Sequence, residues 1–357
     1  MIFDDLHLRW EKMEDKKKIL FICGSLNQTT IMHQIANHLK NDFDCWFTPY
    51  YADGLVGFVA RRNLINFTIV GEGGNFRKQT VGYLKTNNLQ IDYKGTLHNE
   101  KYKLVFTCSD LIMPKNIRDK KVILVQEGMT DPENFAYYLV KYLGLPRWAA
   151  STSTTGMSNL YDVFCIASEG YRNLFERKGV DTNKLLITGI PNFDNVKKYI
   201  DNDFPHKGYV LVATSDFRET LKYENRKKFI RRALEIAAGR KLIFKLHPNE
   251  NVKRATKEIN KYAPGALVYP NGNTNHMIAN CDTLITRYSS VVYIAKALGK
   301  KVYSDLHGEE LAKLTPIQND GFSAARIANV GRVLINTPKT RIEDLYEEFV
   351  LNQAVNY

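Results

Sequence analysis

The segment Gln126-Glu127-Gly128 follows the apolar run Val122–Val125. A carboxylate held between a strand end and a glycine can take the proton of an attacking hydroxyl, so Glu127 is a candidate general base. Asp110 ends Thr107-Cys-Ser-Asp110 and Glu133 ends Asp131-Pro-Glu133, and the three acids are expected to converge on one edge. Further along, Lys245-Leu-His247-Pro248 closes another apolar run. His247 can donate to a phosphate or ribose oxygen, and Lys245 can add positive charge. In Thr286-Arg287-Tyr-Ser289-Ser290 two hydroxyls and a guanidinium stand where a helical pattern opens, which suits an anion. Arg218, in Thr214-Ser-Asp-Phe-Arg218-Glu219, joins this cationic set. Gly24-Ser25-Leu-Asn27-Gln28 also opens a helical pattern and reads as a ligand-facing loop. The chemistry these residues could do is base-assisted attack by a hydroxyl, with the departing phosphate received by cations and N–H groups. Each group also has a plain structural role: helix caps for the serines, a strand-end histidine, a solvated carboxylate.

These loops need strands before them and helices after them. Twelve β-branched runs bounded by turn residues supply the strands: Ile19–Cys23, Cys45–Thr48, Phe67–Val70, Leu104–Thr107, Val122–Val125 and Val163–Ala167, then Leu185–Thr188, Tyr209–Ala213, Leu242–Leu246, Ala266–Tyr269, Thr283–Thr286 and Lys301–Ser304. Helical patterns such as Thr29–Leu39, Glu169–Lys178, Glu224–Ala238 and Ser290–Leu298 lie between them, and Gly179 and Gly299 sit where C-cap glycines belong. This alternation predicts an α/β protein with two doubly wound parallel-sheet domains facing a cleft. The polar, proline-containing stretch after Gly189 marks the boundary. The expected division is an acceptor-side domain over 1–190, a donor domain over 191–338, and a helix in 339–357 able to pack back on the first domain, with Ile342, Leu345 and Phe349 on one face. The stretch 144–160 reads as a long loop.

Composition narrows the function. The chain has 357 residues, 44% hydrophobic and 25% charged, with a net charge of +12, which excludes a disordered or fibrous chain. No apolar run approaches the ~18–20 residues of a membrane span. The acidic start and the short apolar stretch Ile19–Cys23 do not make a signal peptide, so a cytoplasmic protein is expected. Five scattered cysteines form no CxxC pair, which argues against a zinc site or a disulfide framework. The basic surplus is spread along the chain without a finger, arm or RNA-binding motif, so nucleic acid is not an expected partner. Contact with the inner face of the cytoplasmic membrane is compatible with that surplus and with the amphipathic head Ile2, Phe3, Leu6 and Trp10.

The order Gln126-Glu127-Gly128, His247-Pro248, Ser289-Ser290 resembles the GT-B type glycosyltransferase superfamily, which includes the UDP-N-acetylglucosamine 2-epimerases. Within it, the order is similar to bacterial sialyltransferases, Kdo transferases and polyglycerol-phosphate transferases. Thr188-Gly-Ile-Pro-Asn-Phe-Asp194 resembles the segment joining their two domains. The resemblance spans about residues 17–305 and implies transfer of a sugar or polyol phosphate from a nucleotide-activated donor to a hydroxyl of a saccharide or lipid-linked acceptor, in surface polysaccharide or glycolipid synthesis. It implies Glu127 as base, His247 on the donor nucleotide or phosphate, and Ser289 and Ser290 on the phosphate. A CMP- or CDP-linked donor is favoured slightly over a UDP-linked one. No metal-binding DxD triplet is evident, so metal independence is favoured and no cofactor is expected. A second reading is a 2-epimerase, because Asp110, Glu127 and Glu133 fall near that family's three acids. Against it, the family's Ser-Gly-Gly loop with following glutamates is replaced here by Tyr288-Ser-Ser-Val-Val-Tyr. A third reading is a non-catalytic binding module.

Overall fold

The computed structural model describes residues 16–219, 223–306 and 308–338. The amphipathic head and the expected helix in 339–357 lie outside them. The described residues form two compact units, 16–194 together with 319–338, and 195–318.

The first unit is built on six parallel strands: β1 (Lys18–Cys23), β2 (Asp44–Pro49), β3 (Tyr102–Thr107), β4 (Lys121–Val125), β5 (Val163–Ile166) and β6 (Leu185–Ile187), in the order β2-β1-β3-β4-β5-β6. Covered on both faces, these strands read as continuous apolar runs rather than alternating ones. Phe21 on β1 is in register with Phe47 on β2 and Phe106 on β3, and its ring stacks on theirs at 5.1 and 5.0 Å. Burying each such ring contributes roughly 1.5–3 kcal/mol. Helices α1 (Leu26–Leu39), α2 (Gly54–Arg61), α3 (Asn75–Thr86), α4 (Phe135–Leu143) and α5 (Glu169–Lys178) connect the strands. Gly179 caps α5 in the left-handed region, φ +91°, as its position in the sequence suggests.

The second unit has five parallel strands: β7 (Val210–Ala213), β8 (Leu242–Lys245), β9 (Leu267–Tyr269), β10 (Thr283–Ile285) and β11 (Lys301–Tyr303), ordered β11-β10-β7-β8-β9. Its helices are α6 (Arg226–Ala237), α7 (Val252–Tyr262), α8 (Thr274–Asn280), α9 (Val291–Ala297) and α10 (Gly308–Leu314). Val210, Val212, Phe244 and Ile285 pack with Phe229, Ile230 and Ile259 in its core.

Two expectations are corrected. Phe67–Val70 is a turn rather than a strand: Phe67 stands in water instead of in a sheet, 79% exposed. The second unit ends at 318, not 338, because α11 (Ser323–Asn336) belongs to the first unit, packing on α1, β3 and β4. Gly331 permits this approach, since a Cβ there would lie 2.7 Å from the Phe106 ring. Asp194 secures it, its carboxylate accepting the N–H groups of Asn319 at 2.6 Å and Ser323 at 2.8 Å.

Candidate functional site

In open parallel sheets, ligands are taken at the carboxyl ends of strands where the strand order reverses. In the first unit that point lies between β1 and β3. Ser25 follows β1 and is the N-cap of α1, its hydroxyl accepting the Gln28 N–H at 3.1 Å. The same hydroxyl donates to Glu127 Oε1 at 2.8 Å. Asn27 Nδ2 donates to Oε1 at 3.2 Å, and Gln28 Nε2 to Oε2 at 2.6 Å. The first turn of α1 thus supplies three neutral donors to the carboxylate at the end of β4.

The orientation of these donors is itself fixed. Gln28 is 3% exposed, and its Oε1 accepts the Gly24 N–H at 3.0 Å, so its NH2 must face Glu127. Asn192 Nδ2 donates to Asn27 Oδ1 at 2.6 Å and to Thr30 Oγ1 at 2.8 Å, while its Oδ1 accepts from Gln34 Nε2 at 2.6 Å. Asn192 was not singled out in the sequence; its only signal was membership of the Thr188–Asp194 segment.

Among the described residues, neither of the other two acids hydrogen-bonds to Glu127 or to its three donors. Asp110 is fully buried, and its carboxylate accepts the N–H groups of Gly156 and Ser158, both at 3.0 Å. Burial raises its pKa, opposed by those hydrogen bonds and by Arg147. Its carboxylate thereby holds the backbone at Gly156 and Ser158 in place. Glu133 pairs with Arg177 at 3.6 Å and takes no part in the Glu127 network.

In the second unit the order reverses between β7 and β10. The loops that leave these strands are 214–219 and 286–290, and β8, which precedes His247, lies on the other side of β7. Neighbouring strands are ~4.8 Å apart, so the β8 and β10 ends flank one short edge. The His247 N–H donates to Thr214 Oγ1 at 3.0 Å and to Glu250 Oε2 at 3.3 Å. Glu250 is buried and ion-paired with Arg226, whose Nε donates to buried Glu224 at 2.8 Å. This charged network beneath the loop, unrecognised in the sequence, holds the His247 backbone. The ring's Nδ1 accepts the Asn249 N–H at 3.3 Å and lies 3.6 Å from Asp216. A neutral ring therefore carries its proton on Nε2, as a donor for a ligand.

Ser289 and Ser290 are half-buried ahead of α9, and neither hydroxyl makes a hydrogen bond within the described residues. Both remain available to a ligand. The cations expected beside them are engaged elsewhere. Lys245 is 5% exposed, and its ammonium donates to the Leu246 carbonyl at 2.6 Å and the Pro270 carbonyl at 3.2 Å; burial lowers its pKa. Arg218 makes a bidentate pair with Glu258, both bonds 2.9 Å. Arg287 pairs with Asp305 at 2.8 Å and stacks on Phe217. The structure thus replaces the expected cluster of free cations by neutral donors on a preformed loop.

No protein-family model matches the chain, and no curated protein matches it in sequence. Solved structures match in fold. A UDP co-structure of MnaA from S. aureus aligns with a TM-score of 0.57 at 15% identity, over 90% of this chain and 97% of that one. UDP-GlcNAc 2-epimerase from Neisseria meningitidis, bound to UDP-GlcNAc, aligns with 0.53 at 15% identity, over 89% and 100%. UDP-N-acetylglucosamine 2-epimerase from Rickettsia bellii gives 0.51 at 12% identity, over 96% and 97%. The chain has the GT-B fold, α/β with two Rossmann-like parallel-sheet domains.

Proposed function

We propose that the chain is a nucleotide-sugar enzyme and, within that class, a glycosyltransferase with Glu127 as general base. The observation that carries this reading is the set of hydrogen bonds on the Glu127 carboxylate. Oε1 takes two donors and Oε2 one. A carboxylate oxygen has two lone pairs, so one on Oε2 is left for the proton of an acceptor hydroxyl. The acceptor oxygen bonds to the activated carbon as that carbon's bond to the phosphate oxygen breaks, and the leaving nucleotide keeps the electron pair. His247 Nε2–H and the hydroxyls of Ser289 and Ser290 donate to its oxygens. For a polyol-phosphate donor the attacked atom is phosphorus and the roles are the same.

The fold relatives whose titles name UDP or UDP-GlcNAc support a nucleotide-sugar donor. They do not favour the cytidine donor expected from the motifs, so the base is left to measurement. The partners that Asp110 and Glu133 already hold, Gly156, Ser158 and Arg177, favour transfer over epimerisation, for which three acids free to act together were the sequence argument.

The test is a thermal-shift panel with CMP, CDP, UMP, UDP, GDP and ADP, repeated on Glu127→Gln and with EDTA. Binding to the folded state alone raises the melting temperature by mass action. A rise with one base family, retained in Glu127→Gln and in EDTA, is the expected result. No rise with any nucleotide removes the donor assignment. Conversion of UDP-N-acetylglucosamine to its manno epimer without acceptor, seen by proton NMR, replaces transfer by epimerisation.

A further inference from the structure

The His247 side chain is 37% exposed, while the groups that hold its backbone are buried. Residues 247–250 form one turn, closed by the Glu250 N–H donating to the His247 carbonyl at 3.0 Å. The Glu250 side chain closes the turn a second time. Its Oε2 accepts the His247 N–H at 3.3 Å and the Thr214 hydroxyl. Thr214 Oγ1 accepts the same His247 N–H at 3.0 Å. Thr214 follows β7 and His247 follows β8, so one carboxylate joins the loops that leave two neighbouring strands. The closed turn presents the Asn249 N–H to His247 Nδ1 at 3.3 Å, and Asn249 Nδ2 donates to Asp216 Oδ2 at 3.0 Å. The bond to Nδ1 is what leaves the proton of a neutral ring on Nε2.

The Glu250 carboxylate is itself held. Its Oε1 accepts from Arg226 Nη2, and Arg226 Nε donates to Glu224 Oε2 at 2.8 Å. Glu224 Oε1 accepts the Ser215 hydroxyl at 3.3 Å, which returns the chain of contacts to the loop after β7. Glu224, Arg226 and Glu250 are all buried. Taking such charges out of water is costly, and an apolar set of the same volume is often at least as stable. The arrangement is also incomplete as a stabiliser, since Arg226 Nη1 is buried with no hydrogen-bond partner among the described residues. What the network does supply is position. A buried carboxylate ringed by donors cannot shift without leaving one of them unpaired, whereas apolar contacts have no direction.

We propose that Glu250 is a positioning residue for His247: acting with Thr214, it fixes the 247–250 turn so that the ring offers Nε2–H before the nucleotide arrives. This role rests on the donor assignment of His247 above, and Glu250 and Thr214 act only through that ring. Ordering done in advance is not charged to binding, so its loss appears as weaker affinity.

Long-range nitrogen–proton NMR spectra of the full chain at about pH 8, where histidine is neutral, read the ring directly, with His247→Ala to assign its signal. The parent should show one tautomer, protonated on Nε2. Thr214→Val keeps the shape and removes the hydroxyl. It should add a fraction of the Nδ1-protonated form and weaken UDP binding about fivefold in calorimetric titration, less than the loss of a whole hydrogen bond to phosphate. Glu250→Gln should do the same, and Thr214→Ser, which keeps the hydroxyl, should match the parent. In the His247→Ala background Thr214→Val should have no further effect on UDP, because residues that act through one another are not additive. A merely stabilising Thr214 would lower the melting temperature and leave tautomer and affinity as they were. A parent ring protonated on Nδ1, an unchanged tautomer in Thr214→Val, or a loss of affinity that persists in full without His247 overturns the proposal. Should Glu250→Gln fail to fold, the two Thr214 variants still decide it. A tautomer that changes as expected, while neither His247→Ala nor Thr214→Val alters UDP affinity, strikes the donor role of His247 in the proposed function and leaves the positioning standing.

Discussion

Asp194 accepts the N–H of Asn319 at 2.6 Å, so the last residue before the chain leaves the first unit holds the first residue on its return. The same carboxylate takes Ser323 N–H, where α11 begins. Asp194 is 1% exposed, and Asp194→Ala would leave the buried Ser323 N–H and the half-buried Asn319 N–H without this acceptor. A loss of about 3 kcal/mol is expected, since hydrogen bonds to a charged group are each worth roughly 1.5–3 kcal/mol. Urea unfolding would measure it, and amide exchange should quicken across 319–336. An unaltered midpoint would sink the assignment.

Glu127 and Gln28 should separate chemistry from binding. Glu127→Gln is expected to lower turnover by roughly 10²–10⁴, the usual worth of a general base, with nucleotide affinity unchanged. Gln28→Leu removes the donor on Oε2 and lets the carboxylate swing. Turnover should fall by about tenfold or more with little change in donor KM. A purely structural Glu127 would instead lower the melting temperature and leave the turnover of the folded fraction intact.

On the donor side, the engaged cations and the unengaged hydroxyls predict opposite behaviour. Ser290→Ala and His247→Ala should weaken nucleotide binding by about tenfold each, one hydrogen bond to a charged phosphate. Lys245→Met and Arg218→Gln should change stability and leave the nucleotide affinity of the folded protein as it was. Calorimetric titration of all four decides this. Loss of affinity in Lys245→Met would return that lysine to the ligand.

Lys178 carries a pH signature. Burial is the main cause of its depressed pKa, from 10.5 to about 8, with Glu133 opposing. Between those values the unfolded chain holds a proton that the native protein has released. Stability from this group therefore rises with pH across that window, and below about pH 8 the native state must protonate a buried amine. Lys178→Met should be more stable than the parent at pH 7, and its advantage should shrink as pH is raised from 8 to 10. Parallel urea titrations at four pH values would show this, and an advantage independent of pH would refute it.

Much of the fold was legible because parallel strands buried on both faces must be apolar throughout, as Ile19–Cys23 and Val122–Val125 are. Phe67–Val70 shows where that signal ends: four residues of strand composition say nothing about whether a sheet has room beside them. The chemically able loops were legible because they follow strands, and Ser25, Asn27, Gln28 and Glu127 do come together. What misled was pairing across distance. Arg218 looks free until Glu258 is folded beside it, and Asp110 looks unpartnered until Gly156 and Ser158 donate to its carboxylate. Nothing local in the sequence distinguishes a carboxylate awaiting substrate from one already occupied by backbone.

The placement of α11 has a consequence for the order in which the protein can be made. The sheet of the first unit is complete in sequence once β6 has been synthesised, yet Phe106 has no Gly331 against it until 323–336 emerges. By then all of 195–318 is already available to fold. Translation therefore delivers the later unit whole before the earlier one can close. A chain cut short after 318 would hold the whole sequence of the second unit and a first unit whose β3 and β4 lack the helix that packs on them.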